Sequence, residues 1–265
     1  MKPCYKTDNG QLFCFDNVKY LNTVNDNTFD LTVTSPPYDN LRDYKGYSWD
    51  FEALAKELYR TTKEGGVVVW VVGDATINGS ETGTSFKQAL YFKECGFNLH
   101  DTMIWNKNGF TAVGALKTRY AQVFEYMFIL TKNKIKSFNP IIDRLNKKQN
   151  GVFLKNKRLP NGSIGDKNKY RQRRKYGQRF NIWNLLNTDR SEHPAIFPEK
   201  LINDHIISWS NEGDLVFDPF MGSGTTAKMC EKSNRKWIGC EISEEYCDIT
   251  KHRIETEVNQ LKLEF

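Results

Sequence analysis

The hydrophobic positions of this chain form short apolar runs that alternate with segments of helical spacing. Residues 12–15, 29–33 and 67–72 are rich in β-branched and aromatic side chains, which predicts strands. In residues 51–58 the apolar side chains recur every three or four positions, which predicts a helix. Residues 67–72 contain no polar side chain, so we expect that strand to be buried on both faces.

The order of these elements predicts the fold class. Strand, helix, strand, helix and strand follow one another over the first 130 residues, and a further strand–helix–strand unit occupies residues 215–240. This order is typical of an α/β fold with a mostly parallel sheet and helices on both faces. Gly65 and Gly66 follow the helix at 51–58 and are expected to end it.

The segment between these two parts has no apolar periodicity and is strongly basic. Residues 144–179 hold thirteen Lys or Arg and one acid, a net +12, so the rest of the chain carries −6 of the total +6. A solvated surface loop is one interpretation. Interleaved Tyr170, Tyr176 and Phe180 favour a nucleic-acid-binding insertion that contacts phosphates. Its predicted DNA-binding residues are Lys155, Lys157, Arg158, Lys169, Arg171, Arg173, Arg174, Lys175 and Arg179.

The composition restricts the class of protein further. A chain of 265 residues suits one α/β domain with an insertion, or two small domains. No apolar run approaches the roughly 20 residues of a membrane span, and the N-terminus has no apolar signal core, so we expect a soluble intracellular protein. Six scattered cysteines and four unclustered histidines indicate neither a zinc site nor a disulfide framework.

Two successive prolines end the strand at 29–33. In Ser35-Pro36-Pro37-Tyr38 the prolines must stop the strand, because they fix φ and lack an amide donor. Ser35 and the carbonyls near Pro36 could accept hydrogen bonds from an exocyclic amine, and Tyr38 could stack on its ring. An ordinary strand-to-loop turn explains these residues equally well.

A glycine loop near the C-terminus provides the second candidate site. A strand at 215–217 precedes Asp218-Pro219-Phe220-Met221-Gly222-Ser223-Gly224, and a helix follows from Thr225. Glycines let a ligand approach the backbone, and Glu241 at the end of the next strand is placed to bind ribose hydroxyls. Neither a triphosphate P-loop nor the full dinucleotide fingerprint is present. We therefore favour S-adenosylmethionine, with a chance glycine turn as the alternative.

Together these motifs resemble the DNA amino-methyltransferases, which methylate cytosine N4 or adenine N6. Ser35 to Tyr38 is similar to their catalytic tetrapeptide, and Asp218 to Thr226 is similar to their cofactor loop. Because the catalytic motif comes first, the order resembles the β-group permutation of that family. The resemblance implies a circularly permuted, Rossmann-like class I methyltransferase of restriction-modification type. Its parts would be a catalytic half (1–133), a target-recognition segment (134–190) and a cofactor-binding half (191–265).

The resemblance also implies roles for individual residues. Ser35, Pro36, Pro37 and Tyr38 would be catalytic. An acid near the cofactor corresponds to Asp16, and the block that covers the methionine end corresponds to residues 193–198. The full set of implied cofactor-binding residues is Asp16, Thr34, His193, Pro194, Phe197, Asp218, Phe220, Gly222, Ser223, Gly224, Thr225 and Glu241.

The mechanism that this resemblance implies is direct methyl transfer to a flipped base. Tyr38 would stack on the base while Ser35 and the Pro36 carbonyl hold its amine hydrogens. Serine in the tetrapeptide favours cytosine N4, and adenine N6 stays open, since a hydroxyl can accept from either amine. The implied partner is double-stranded DNA, with a homodimer and a cognate restriction endonuclease as further candidates.

Three other functions are alternatives to methylation of an amine in DNA. A cytosine C5 enzyme needs a nucleophilic cysteine after proline at a strand end, and Pro3-Cys4 lies at the N-terminus with no strand before it. A DNA-binding protein that retains the fold without turnover is disfavoured, because both motifs are complete. An RNA substrate stays open, since a basic segment attracts either polymer.

Overall fold

The computed structural model describes residues 1–37, 49–107, 109, 118–149, 151–161, 163–185 and 198–258. Four of the predicted site residues lie outside these ranges: Tyr38, His193, Pro194 and Phe197. The chain divides into two compact units. We call Met1–Asn139 together with Asn181–Phe265 the main unit, and Pro140–Phe180 the basic unit.

The described residues form six helices and fifteen strands. The helices are α1 (Asn17–Leu21), α2 (Phe51–Thr61), α3 (Thr84–Glu94), α4 (Glu199–Trp209), α5 (Thr225–Lys232) and α6 (Glu244–Glu257). The strands are β1 (Tyr5–Lys6), β2 (Gly10–Cys14), β3 (Phe29–Thr34), β4 (Thr62–Val72), β5 (Thr76–Ile77), β6 (Ser80–Glu81), β7 (Asn98–Asn106), β8 (Phe124–Thr131), β9 (Arg144–Leu145), β10 (Val152–Arg158), β11 (Ile164–Gln172), β12 (Tyr176–Gly177), β13 (Ile182–Asn184), β14 (Leu215–Asp218) and β15 (Lys236–Glu241). None of these helices is both long and apolar enough to cross a membrane.

Nine strands of the main unit form one mixed, mostly parallel sheet. Their order is β1-β2-β15-β14-β3-β4-β8-β7-β13. Pairing is antiparallel only where β1 meets β2 and where β8 lies between β4 and β7. The predicted α/β class is therefore confirmed. β14 leads to β15 on one side and β3 leads to β4 on the other, so the sheet has a topological switch point between β14 and β3.

The core of the main unit surrounds β3, β4 and β14. Residues 67–72 of β4 are each at most 1% exposed, and their side chains alternate between the two faces of the sheet. Both faces are therefore covered there, as predicted. Phe29 of β3 stacks on Phe217 of β14 with ring centroids 4.5 Å apart, which packs the two strands at the switch point against each other.

The prediction that Gly65 and Gly66 end the second helix is wrong. α2 ends at Thr61, and the glycines lie inside β4. The Thr62 hydroxyl donates to the Leu58 carbonyl at 2.6 Å, so a side chain rather than a glycine satisfies the helix end. Gly65 lets two backbone segments lie close together, because a Cβ at this position would be 2.9 Å from the Lys134 carbonyl oxygen.

The basic unit contains a hairpin where the sequence shows no periodicity. β10 pairs antiparallel with β11, and the register shifts between Lys155 and Lys157. Two short strands, β9 and β12, form a second antiparallel pair. Arg179 forms an ion pair with Asp143 inside the same unit. Backbone pairing and this ion pair, rather than a helix, organise the described part of this unit.

Candidate active site

The two candidate motifs meet at the switch point of the sheet. Thr34 ends β3 and Asp218 ends β14, which are parallel neighbours with Thr32 opposite Phe217. The Thr34 hydroxyl donates to Asp218 Oδ1 at 2.7 Å. This bond joins segments that are 184 residues apart in the sequence, and it lies at the edge where α/β sheets bind ligands.

Asp218 is buried and organises the start of the glycine loop. Its carboxylate accepts hydrogen bonds from Thr34, from the Phe220 amide at 3.0 Å and from the Thr226 hydroxyl at 2.6 Å. Burial raises the pKa of Asp218 to about 6; these hydrogen bonds oppose that rise, and the charge of Glu241 adds to it. The loop is thus fixed by a carboxylate that contacts both neighbouring segments.

The glycines of the loop permit a backbone path that other residues resist. Gly222 and Gly224 have φ of +53° and +80°. The Gly222 amide donates to Glu241 Oε2 at 2.8 Å, and the Ser243 amide donates to Glu241 Oε1 at 3.0 Å. Burial raises the pKa of Glu241, and these amide bonds oppose the rise. A Cβ at Gly222 would meet only the Phe220 carbonyl, at 3.9 Å, so space is open beside this glycine.

Asp16 lies at the start of α1, beside a cleft of about 750 Å³. Its side chain accepts a hydrogen bond from the Lys19 amide at 2.8 Å and so caps the helix. The next residue, Asn17, donates to the Pro219 carbonyl at 3.1 Å, which ties α1 to the glycine loop. The cleft is lined by Asp16, Val18, Lys19, Trp49, Asp50, Phe51, Glu52 and Ala53.

Trp49 connects this cleft to the glycine loop. Its ring contacts the Phe220 ring edge-on, with centroids 5.1 Å apart. It also packs near Phe51 and Trp70 of the core. An aromatic wall therefore joins the cleft beside Asp16 to the loop that follows β14.

The double-proline turn follows β3 directly. Ser35 and Pro37 are half-buried, and Pro36 is buried. Tyr38 is outside the described residues. The turn leaves the sheet from the same edge as the glycine loop, because Thr34 is hydrogen-bonded to Asp218.

Several residues of the site were missed by sequence reasoning. Thr226, Asn17 and Trp49 contact the loop directly, and Arg253 of α6 donates to Thr225 Oγ1 at 2.9 Å. Thr226 belongs to the glycine-loop motif, so the sequence does give a signal for it. The others carry no local signal, because their contacts join segments far apart in the chain.

The predicted DNA-binding residues differ in exposure. Arg171, Arg174 and Lys175 are exposed, and Arg173 is half-buried. Lys155, Lys157, Arg158 and Lys169 lie on β10 and β11. Arg179 is paired with Asp143, and its side chain is only 16% exposed. This ion pair joins two segments of the basic unit.

Comparison with known proteins assigns the family. A family model for N6 and N4 methylation, described as DNA methylase, matches residues 29–252. The chain belongs to the N6/N4 DNA methylase family. It is 58% identical to the orphan methyltransferase M.BamHII of Bacillus amyloliquefaciens, over 87% of this chain and 90% of that protein. The type II methyltransferase M.HpaI of Haemophilus parainfluenzae is 29% identical, over 94% and 75% of the two chains.

Solved structures show the same fold. The PvuII DNA methyltransferase, described as cytosine-N4-specific, superposes with a TM-score of 0.70 at 21% identity, over 95% of this chain and 88% of that one. The complex of M1.HpyAVI with S-adenosylmethionine gives 0.59 at 23% identity, over 92% and 99%. The family predicted from the sequence is confirmed, and S-adenosylmethionine is the methyl donor of this family.

Proposed function

We propose that this DNA methyltransferase acts at specific sites and methylates the exocyclic amine of a flipped base, with cytosine N4 as the favoured target. The observation that carries the proposal is the hydrogen bond between Thr34 and Asp218. It places a turn suited to an amine and a loop suited to a nucleoside cofactor at one edge of the sheet.

The residues around the loop fit S-adenosylmethionine. The open space beside Gly222 lets a ligand approach the backbone, and Glu241 is suited to accept hydrogen bonds from ribose hydroxyls. The open cleft beside Asp16 has an aromatic wall at Trp49, which suits stacking on a nucleoside base. When bound, this cofactor supplies an electrophilic methyl group on a sulfonium.

We assign the cofactor contacts to the residues that border this loop and cleft. Asp16, Glu241 and Phe220 would hold the nucleoside, and Gly222 to Thr225 would face the amino-acid tail. Thr34 and Asp218 fix the path of the loop. His193, Pro194 and Phe197 keep the role that the family resemblance implies, at the methionine end.

The double-proline turn would hold the target amine. Ser35 and the Pro36 carbonyl would accept the two amine hydrogens, which turns the nitrogen lone pair out of conjugation and toward the methyl group. Tyr38 would stack on the flipped base and recover part of the unstacking cost. The bond from methyl to nitrogen would form as the bond from methyl to sulfur breaks, so transfer would need no covalent intermediate on the protein. S-adenosylhomocysteine would leave, and the amine would release one proton to solvent. Positioning and electrostatics account for the rate.

Cytosine N4 is favoured by the serine of the tetrapeptide. The structure with the 0.70 TM-score is described as cytosine-N4-specific, which supports the same choice. Adenine N6 is the second candidate, because the matching family model covers both amines.

The basic unit is the proposed DNA-binding element. Its exposed cations Arg171, Arg174 and Lys175 suit phosphate contacts, and β10 and β11 add further lysines. A two-stranded ribbon is one of the elements that the major groove admits. The bacterial relatives favour action on DNA in a bacterial cytoplasm. A homodimer and a companion nuclease are further candidates that the family resemblance implies, although the relative at 58% identity is named an orphan methyltransferase.

Mass spectrometry of nucleosides tests the proposed function. Duplex DNA is incubated with the protein and S-adenosylmethionine, digested and analysed, with structured RNA as a parallel substrate. We expect N4-methylcytosine in the DNA. N6-methyladenine would select the second candidate, and methylation of RNA alone would contradict the proposal.

A further inference from the structure

A cluster of four charged side chains joins three helices next to the glycine loop. Arg253 of α6 donates to Glu199 of α4 at 2.6 Å, and its Nε lies 3.5 Å from Glu257. Lys228 of α5 forms ion pairs with both Glu199 and Glu257. The cluster therefore links α4, α5 and α6 through alternating charges.

Arg253 also reaches the loop itself. Its Nη1 donates to the Ser223 carbonyl at 3.2 Å, to Ser223 Oγ at 3.4 Å and to Thr225 Oγ1 at 2.9 Å. One guanidinium thus contacts the loop with one nitrogen and Glu199 with another. A lysine could not reproduce this set, because its ammonium is a single point of contact.

Thr250 supports the neighbouring part of the loop. It lies three residues before Arg253, on the same face of α6. Its hydroxyl donates to the Gly222 carbonyl at 2.9 Å, and a Cβ at Gly224 would lie 2.7 Å from its methyl group. This face of α6 therefore contacts the loop from Gly222 to Thr225.

The charge of Glu199 keeps Arg253 in place. Burial raises the pKa of Glu199, but the hydrogen bonds and charges of Lys228 and Arg253 outweigh that effect, and the net pKa is lowered. Glu199 is therefore ionised at neutral pH. The side chain of Arg253 is 16% exposed, so its hydrogen bonds are largely shielded from water.

We propose that Arg253 is a positioning residue that holds the glycine loop in the conformation that binds S-adenosylmethionine. It would act through Ser223 and Thr225, without touching the cofactor. This inference rests on the proposed role of the loop in cofactor binding. If the cluster served stability alone, its loss would lower the free energy of unfolding and leave cofactor affinity unchanged.

The test compares R253A and R253K with R60A. Arg60 is a matched control, because it also bonds two carboxylates, Asp26 and Glu57, and two backbone carbonyls. It does so at the C-terminal ends of α1 and α2, whereas the cleft is lined by residues at their N-terminal ends. Calorimetry measures the dissociation constant of S-adenosylhomocysteine for each folded variant. Steady-state kinetics measures kcat and the separate KM values for cofactor and DNA.

We expect R253A to weaken S-adenosylhomocysteine binding about 10- to 100-fold, the effect of losing hydrogen bonds to a charged group. The cofactor KM should rise in parallel, while the KM for DNA stays unchanged. R253K should recover only part of the loss, and R60A should bind like wild type. If R253A does not fold, R253K decides, with a several-fold weakening expected.

Two results would overturn the inference in distinguishable ways. If both R253A and R253K bind S-adenosylhomocysteine with wild-type affinity, Arg253 does not position the loop. If R253A is unfolded, wild-type affinity of R253K alone leads to the same conclusion. Failure of the wild-type protein to bind S-adenosylhomocysteine would contradict the proposed role of the loop itself.

Discussion

At the carboxyl ends of β3 and β14, polar side chains are buried and bonded to distant segments, as Thr34 and Thr226 are to Asp218. In the basic unit, cations such as Arg171 and Arg174 are exposed, and the described strands form two-stranded pairs. The first region fixes atoms in one arrangement. The second presents charge on an exposed surface.

This difference predicts two kinds of response to mutation. A buried, bonded group acts through geometry, so a single substitution should alter one step strongly. Exposed cations act additively and are screened by salt, so each one should contribute modestly to DNA affinity. The following experiments test whether the two regions can be separated in this way.

The largest effect is expected for Ser35→Ala. Removing one positioned hydrogen-bonding group from the amine should reduce kcat about 100-fold or more. The affinities for S-adenosylhomocysteine and for DNA should remain near wild type, because Ser35 lies outside the glycine loop and the basic unit. Single-turnover kinetics and calorimetry measure these quantities.

Ser80→Ala is the matched control for this variant, because Ser80 is an exposed serine elsewhere in the main unit. It should retain wild-type kcat. Unchanged methyl transfer by Ser35→Ala would remove the proposed amine contact from the double-proline turn.

A pH-dependent effect is expected for Asp218→Asn. The pKa of Asp218 is raised from 3.8 to about 6 in the folded protein, so the folded state retains a proton that the unfolded state loses. The wild-type free energy of unfolding should therefore fall, relative to the variant, as the pH rises from 4 to 6. The full change is at most about 3 kcal/mol.

Urea denaturation of both proteins between pH 4.5 and 7 measures this difference. If the free energy of unfolding of the wild type, relative to the variant, stays constant or rises over this pH range, the pKa of Asp218 is at or below its ordinary value. The hydrogen bonds from Thr34, Thr226 and Phe220 would then outweigh its burial.

The basic unit should respond through salt dependence. Replacing Arg171, Arg174 and Lys175 by alanine should weaken DNA binding about 10-fold and lower the slope of log K against log salt by up to about 3. The kcat at saturating DNA should not change. Fluorescence anisotropy at several salt concentrations measures the slope.

A triple alanine variant of exposed lysines in the main unit, Lys56, Lys87 and Lys93, is the control. It removes the same charge from α2 and α3. If the slope of log K against log salt concentration decreases equally in both variants, the basic unit has no special part in binding DNA.

The smallest effect is expected for Thr32→Val in β3. Among the described residues, Thr32 Oγ1 is buried and has no hydrogen-bond partner. Replacing this hydroxyl by a methyl group should raise the free energy of unfolding by about 1 kcal/mol. Thr62→Val is the control, because the equally buried Thr62 hydroxyl is bonded to Leu58 and its loss should destabilise the protein. Destabilisation by both variants would contradict the prediction.

The sheet and its central strands were predictable from local pattern. The uniformly apolar run at 67–72 lies in β4, because a strand that is buried on both faces needs apolar side chains throughout. The run at 29–33, in which apolar residues alternate with Asp30 and Thr32, lies in β3. Two prolines and a glycine loop mark where strands end. Proline narrows the range of allowed backbone dihedral angles and glycine widens it, so their effect can be read from the sequence without tertiary contacts.

The features that were not predicted depend on contacts between distant segments. Gly65 and Gly66 were expected to end a helix, but the structure needs Gly65 for a close approach to the backbone of Lys134 and Gly66 for one to the backbone of Lys63 and Asp30. The sequences of β10 and β11 show no alternation of apolar and polar residues, so no pattern marks them as strands. No sequence pattern distinguishes Arg253 from the other arginines, because only the fold brings it within hydrogen-bonding distance of Ser223.

The central claim is that the turn after β3 and the loop after β14 form one site. Ultraviolet photolabelling with S-adenosylmethionine that carries a tritiated methyl group, followed by peptide mapping, tests this directly. We expect the label both in peptides that contain residues 31–38 and in peptides that contain residues 215–225, and competition by S-adenosylhomocysteine should remove it. A competable label that is absent from either of these two segments would contradict the claim.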